Sequence, residues 1–142
     1  MTTKLAILGC GTMGRAVLGG LQRAAPGEYE AVATARRAEL RERIAADHGV
    51  AVTADNAAAA AGADVILIAV KPQAAGDLLN EPGMRAALSG KLLVSLCAGV
   101  HISQLRGWAP EARVIRAMPN TPALIGEGMT VLSASVEATA ED

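Results

Sequence analysis

The sequence predicts an α/β fold, a doubly wound and mainly parallel sheet in a single domain, residues 1–142. Three observations carry that expectation. Short unbroken aliphatic runs alternate with stretches of helical period, as strands joined by crossover helices require. Three glycines, Gly9, Gly11 and Gly14, stand directly after the first aliphatic run and open the first helical stretch. The chain has Tyr29 and Trp108, no Phe, and abundant Ala and Gly, so its core must be aliphatic with closely approaching backbones.

Taken in order, Lys4 to Leu8 is a short buried strand. Met13, Val17, Leu21 and Ala24 follow at helical spacing until Pro26-Gly27 ends the run. Tyr29 to Thr34 is a second strand, and Arg36 to Gly49 a polar helix closed by its glycine. Val50 begins a third strand, after which Asp55 caps an alanine helix from Asn56 to Ala61. The clearest strand is Asp64 to Val70, whose continuous aliphatic run suits burial on both faces, and it stops at Lys71-Pro72. Helical material follows, interrupted at Pro82-Gly83. Lys91 to Gly99 is another buried strand, His101 to Ala109 a short helix, Arg113 to Ala123 a strand running into a proline-bounded loop, and Gly128 to Ser133 a last strand.

Composition excludes little but favours few classes. A net charge of −1 with both signs scattered gives no electrostatic footprint for nucleic acid or an anionic membrane, and stacking aromatics for single strands are missing. No run approaches the about 20 residues of a membrane span, and the start is too short for a signal peptide, so a cytoplasmic location is expected. Cys10 and Cys97 form no CxxC pair and have no clustered histidines, so they are expected as small buried residues and no metal site is expected.

The glycine spacing alone also fits an ordinary tight turn. Between a strand and a helix at the first βα connection it has a specific chemistry: Gly9 permits the turn, Gly11 lets a pyrophosphate reach the backbone, and Gly14 lets the helix pack on the strand. The helix N-terminus then offers free N–H groups to phosphate. This is the Rossmann-type arrangement for a dinucleotide. NAD sites carry Asp or Glu about 20 residues further on, whereas this chain has Thr34-Ala35-Arg36-Arg37. Arg36 and Arg37 favour a 2′-phosphate, hence NADP with NADPH preferred over NADH. The other reading is that two arginines open a solvated helix.

The carboxyl ends of later strands should line the same crevice, at Ala69 to Gln73, Leu96 to Gly99 and Met118 to Pro122. In order, "LGCGTMG", "TADN", "AVKPQ", "SLCAGV", "RAMPNTPA" and "GEGMT" resemble pyrroline-5-carboxylate reductase over essentially the whole chain. The resemblance implies a cofactor pocket of Leu8, Gly9, Cys10, Gly11, Thr12 and Met13, with Ala35 and Arg36 at the adenosine end and Asn56 near its ribose; Gly14 and Arg37 join the cofactor-binding residues from the turn and charge readings above. It further implies Ala69, Val70, Lys71 and Pro72, then Leu96, Cys97 and Ala98, around the remaining cofactor. Met118, Pro119, Asn120 and Thr121 then lie on the substrate side, beside the nicotinamide and a cyclic imine. Family members continue into a helical region that dimerises and holds much of the substrate, including its carboxylate; this chain is expected to lack it. The implied reaction is NADPH-dependent reduction of 1-pyrroline-5-carboxylate to proline, with this chain as the cofactor half and homo-oligomers formed through the missing region.

A protonated imine accepts hydride without a dedicated acid–base pair, and none is evident, so no catalytic residue is assigned. Lys71 is read as positioning cofactor or loop rather than as a proton donor, because an ordinary ammonium is a poor acid at neutral pH. His48, His101 and Glu127 are given no catalytic role. Two alternatives stand beside this reading: an NADP-binding sensor module without turnover, and a related NADP-dependent imine or β-hydroxyacid-type oxidoreductase.

Overall fold

The computed structural model describes residues 2–119 and 129–142. The strands are β1 (Thr3–Leu8), β2 (Tyr29–Thr34), β3 (Ala51–Thr53), β4 (Val65–Ile68), β5 (Leu92–Ser95), β6 (Arg113–Pro119) and β7 (Thr130–Ala134). The helices are α1 (Thr12–Ala24), α2 (Ala38–His48), α3 (Asn56–Ala61), α4 (Ala75–Leu79), α5 (Met84–Leu88) and α6 (Ile102–Trp108). All strands join one sheet in the order β3-β2-β1-β4-β5-β6-β7. The pairs from β3 to β6 are parallel, with Ile7 of β1 lying between Ala33 of β2 and Leu67 of β4. Among the described residues only β7 runs antiparallel, pairing Met118 with Val131 and Pro119 with Thr130. The connection from Pro119 to Thr130 is shorter than the dozen or so residues a parallel crossover takes.

The expected double winding is present, and period-two alternation explains it. On one face Leu8, Ile66, Ile68, Leu93 and Val114 pack with buried residues of α3, α4, α5 and α6. On the other, Leu5, Ile7, Ala33 and Leu67 pack with Leu18 of α1 and Ile44 of α2. Neighbouring residues of β1 and β4 therefore enter different cores, which is why their sequences are continuously aliphatic.

Several boundaries differ from the sequence expectation. β4 ends at Ile68, not Val70: the Ala69 N–H still reaches Leu8 O at 2.9 Å, and Val70 then turns across the glycines. β5 ends at Ser95, not Gly99, because the Ser95 hydroxyl accepts the Cys97 N–H at 3.2 Å and bends the chain. α2 begins at Ala38, with Arg37 as an extended N-cap. Its end is as expected, Gly49 closing it at φ +64°. The last strand is shifted to Thr130–Ala134, and the expected start at Gly128 lies outside the described residues. Every residue of β7 is exposed, and Met129, Val131, Leu132 and Val136 are each more than half exposed. Among the described residues no helix is long and apolar enough to cross a membrane.

Candidate functional site

β1 pairs with β2 on one side and β4 on the other, so the chain switches direction of winding at its carboxyl end, where open α/β sheets hold ligands. The three glycines occupy this point for three different reasons. Gly9 has φ +69°, and a Cβ there would lie 2.1 Å from Val70 Cγ1, so both backbone and space demand glycine. Gly14 lies against the sheet, where a Cβ would stand 3.2 Å from Ala69 Cβ and 3.3 Å from Ile7 Cγ2 and Cys10 Sγ. Gly11 differs: its φ is −86°, and the nearest atom to a Cβ would be Gly9 O at 4.0 Å. Neither strain nor packing requires glycine at 11; open space is what it preserves.

Hydrogen bonding divides the turn amides into used and free. Gly9 N–H donates to Thr34 Oγ1 at 2.9 Å, Cys10 N–H to Thr34 O at 2.7 Å and Gly11 N–H to Gly9 O at 2.8 Å. The first bond of α1 runs from Arg15 N–H to Gly11 O at 2.9 Å. The N–H groups of Thr12, Met13 and Gly14 stand ahead of that bond and find no acceptor among the described residues. Free donors at the positive end of a 13-residue helix, facing the room kept by Gly11, fit a pyrophosphate. Leu8 and Cys10 are fully buried and serve as frame.

At the carboxyl end of β2, Ala35 is buried while Arg36 and Arg37 are exposed. Arg41 holds this corner, its Nη1 donating to Ala35 O at 3.0 Å and Arg36 O at 2.6 Å. Neither Arg36 nor Arg37 uses its guanidinium in a hydrogen bond or ion pair among the described residues, so both remain available to a ligand. Asn56, at the start of α3, accepts the Thr34 hydroxyl at 2.5 Å and donates through Nδ2 to both carboxylate oxygens of Glu81, at 3.1 and 3.2 Å.

The β4 and β5 turns close the crevice. The Cys97 thiol donates to Val70 O at 3.4 Å, tying the two turns together, and Leu96 N–H reaches Ile68 O at 3.0 Å. Burial raises the Cys10 thiol to about 11, slightly opposed by the Arg15 charge, and raises Cys97 against a hydrogen bond from Ser95. Both are expected to be thiols at neutral pH, poor nucleophiles and poor ligands. Lys71, Pro72 and Ala98 are exposed at the rim. Met118 and Pro119 end β6 half-buried; Asn120 and Thr121 lie outside the described residues. Among the described residues no group of His, Cys, Asp or Glu could hold a metal ion.

Four contributors escaped the sequence reading. Thr34 and Ser95 had a signal, being hydroxyls closing buried aliphatic runs, and each accepts a turn N–H. Glu81 meets Asn56 across 25 residues with no periodicity to announce it. Arg116 on β6 carries a buried Nε with no partner among the described residues, its Nη2 reaching Met118 Sδ at 4.0 Å.

Comparison with known proteins accords with this geometry. The model of the family described as "NADP oxidoreductase coenzyme F420-dependent" matches residues 4–99, and the chain belongs to that family. A pyrroline-5-carboxylate reductase of Schizosaccharomyces pombe is 39% identical, over 96% of this chain and 54% of its own length. The solved pyrroline-5-carboxylate reductase of Coxiella burnetii superposes with a TM-score of 0.92 at 30% identity, over 99% of this chain and 53% of its own. That of Plasmodium falciparum, solved with NADP bound, gives 0.84 at 29% identity, over 99% and 51%. The chain thus spans about half the length of the relatives it matches.

Proposed function

We propose that this member of the NADP oxidoreductase family binds NADPH in the crevice and forms the cofactor half of an enzyme reducing 1-pyrroline-5-carboxylate to proline. The observation that carries the reading is the set of free amides at Thr12, Met13 and Gly14 facing the space beside Gly11. The pyrophosphate belongs on those amides, the 2′-phosphate beside Arg36 and Arg37, and the nicotinamide toward the β4 and β5 turns. The bound cofactor supplies the hydride for a C=N carbon, so this chain's residues bind, orient and exclude water rather than move protons. Met118 and Pro119 border the substrate side of that space. Relatives named as pyrroline-5-carboxylate reductases support this assignment, and the NADP-bound relative supports the cofactor. We further propose that substrate enclosure and assembly into homo-oligomers come from a helical region of the kind found in longer family members. A cytoplasmic location is part of the same proposal.

The experiment follows NADPH binding by calorimetry and its oxidation by absorbance, with and without 1-pyrroline-5-carboxylate. Binding with little turnover is expected from the chain alone, since substrate orientation is worth roughly 7–11 kcal/mol of barrier. Fusing a family-type helical region after Asp142 should bring turnover into the usual range of about 1–10³ per second. Binding without turnover even in the fusion would support an NADP-binding module instead.

A further inference from the structure

We propose that Glu81 is a positioning residue of the nucleotide site, acting on the glycine turn through Asn56 and Thr34. The inference rests on the dinucleotide reading above. Four groups from four segments form one line of hydrogen bonds: Glu81 carboxylate, Asn56 amide, Thr34 hydroxyl and Gly9 N–H, with separations of 3.1–3.2, 2.5 and 2.9 Å. Thr34 is 1% exposed, so water does not offer its hydroxyl an alternative partner.

The polarity of the line follows from its end. An ionised carboxylate only accepts, so the NH2 of Asn56 must face Glu81 and its carbonyl oxygen must face Thr34. The Thr34 hydroxyl then has to donate to Asn56, which turns its lone pairs toward Gly9 N–H. Without an acceptor at position 81 the amide is free to reverse, and the hydroxyl proton loses its buried partner. A residue between α4 and α5 thereby sets the turn on the opposite side of the switch point. That turn decides where Gly11 leaves room and where the amides of Thr12 and Met13 point. The other charged groups nearby are Asp55, Glu111 and Arg85, none of which hydrogen-bonds to a member of the line. Asp55 caps α3 by accepting Ala58 N–H, Glu111 accepts the Ser89 hydroxyl, and Arg85 is exposed along the outer groove that Glu81 also lines.

Exchanging the two ends of the line separates this role from simple support of the fold. NADPH affinity is measured by calorimetry between pH 6 and 8 in the full chain, with melting temperature alongside. Glu81→Gln retains an acceptor and should bind within about threefold of the parent, whereas Glu81→Ala should weaken binding about tenfold. Asn56→Asp sets two carboxylates face to face; they cannot both stay ionised cheaply, so binding should become pH-dependent and tighter toward pH 6. The double variant Asn56→Asp with Glu81→Gln restores one donor facing one acceptor and should flatten the pH profile. If Glu81→Ala binds as the parent does, or the double variant keeps the pH dependence of Asn56→Asp, the proposal is overturned while the nucleotide reading stands. If the parent itself fails to bind NADPH, both fall.

Discussion

Substituting Gly11→Ala separates the two explanations of the glycine turn, because the structure makes its cost to folding small and its cost to binding large. Gly11 is the N-cap of α1 with φ −86°, a conformation open to alanine, and its new methyl would meet nothing closer than Gly9 O at 4.0 Å. The stability cost is that of a poorer N-cap, roughly 0.5–1 kcal/mol. For a domain of this size that lowers the melting temperature by about 2–4 °C. Even at a stability of about 5 kcal/mol the unfolded fraction stays near one in a thousand, too little to affect a titration. The methyl would instead occupy the room opposite the amides of Thr12 and Met13. Displacing a close-packed pyrophosphate by one carbon costs about 1–3 kcal/mol, a loss of about 5–150-fold in NADPH affinity.

Calorimetric titration of NADPH and a thermal melt on the same preparations make the test, with Gly9→Ala as the contrasting variant. At Gly9 the left-handed backbone alone costs alanine roughly 1–2 kcal/mol, and the 2.1 Å approach to Val70 adds to it. Its melting temperature should therefore fall several times further than that of Gly11→Ala. The reasoning is refuted if Gly11→Ala binds NADPH as tightly as the parent, or if its lost binding is fully explained by unfolding.

Two further outcomes follow from the same geometry. NADPH should bind about tenfold or more tightly than NADH, and Arg36→Asp should erase most of that margin, because the free guanidinium is the group a 2′-phosphate would meet; equal affinities in the parent would remove the arginine argument. Cys10, with its thiol raised to about 11, should react with a disulfide reagent at pH 8 far more slowly in the native chain than in urea. Its neutral form is favoured by the fold, so its contribution to stability is fully present below the ordinary thiol value near 9 and is lost as pH rises toward about 11. In an alkaline melting series the difference in melting temperature between the parent and Cys10→Ala should stay constant below pH 9 and shift against the parent as pH rises toward 11.

What the sequence made legible was whatever depends on local pattern. The aliphatic runs of β1 and β4 announced burial on both faces, and the glycines announced the turn because their spacing follows a strand and opens a helix. Val70 shows the limit. It is aliphatic and continues the β4 run, so it reads as strand, yet its side chain stands against Gly9 and belongs to the turn. Ser95 ends β5 early for a related reason: a hydroxyl that takes the Cys97 N–H is a local competitor to the ladder. The Asn56 to Glu81 contact was not legible at all, since only the sheet order brings α3 beside the α4–α5 connection. Resemblance marked Asn56 near the ribose; the structure adds that its amide is already oriented by two protein partners.

The distribution of satisfied and unsatisfied groups separates the two halves of the proposed function. On the nucleotide side the proposed pyrophosphate site is built of main-chain amides of a turn framed by two buried cores, and Thr34, Asn56 and Glu81 behind it are themselves hydrogen-bonded. A site made this way needs nothing beyond the sheet and its helices to hold its geometry. On the β6–β7 side the opposite holds: β7 is exposed along its whole length, four apolar residues near it face solvent, and the Arg116 Nε is buried with no partner among the described residues. Exposed apolar area lowers its free energy when a partner surface covers it, and the Arg116 Nε–H gains only from a surface that brings it an acceptor. The exposed apolar area among the described residues therefore lies where the substrate is proposed to bind. Cofactor affinity should be a property of this domain by itself, and catalysis a property of what is placed against β6 and β7.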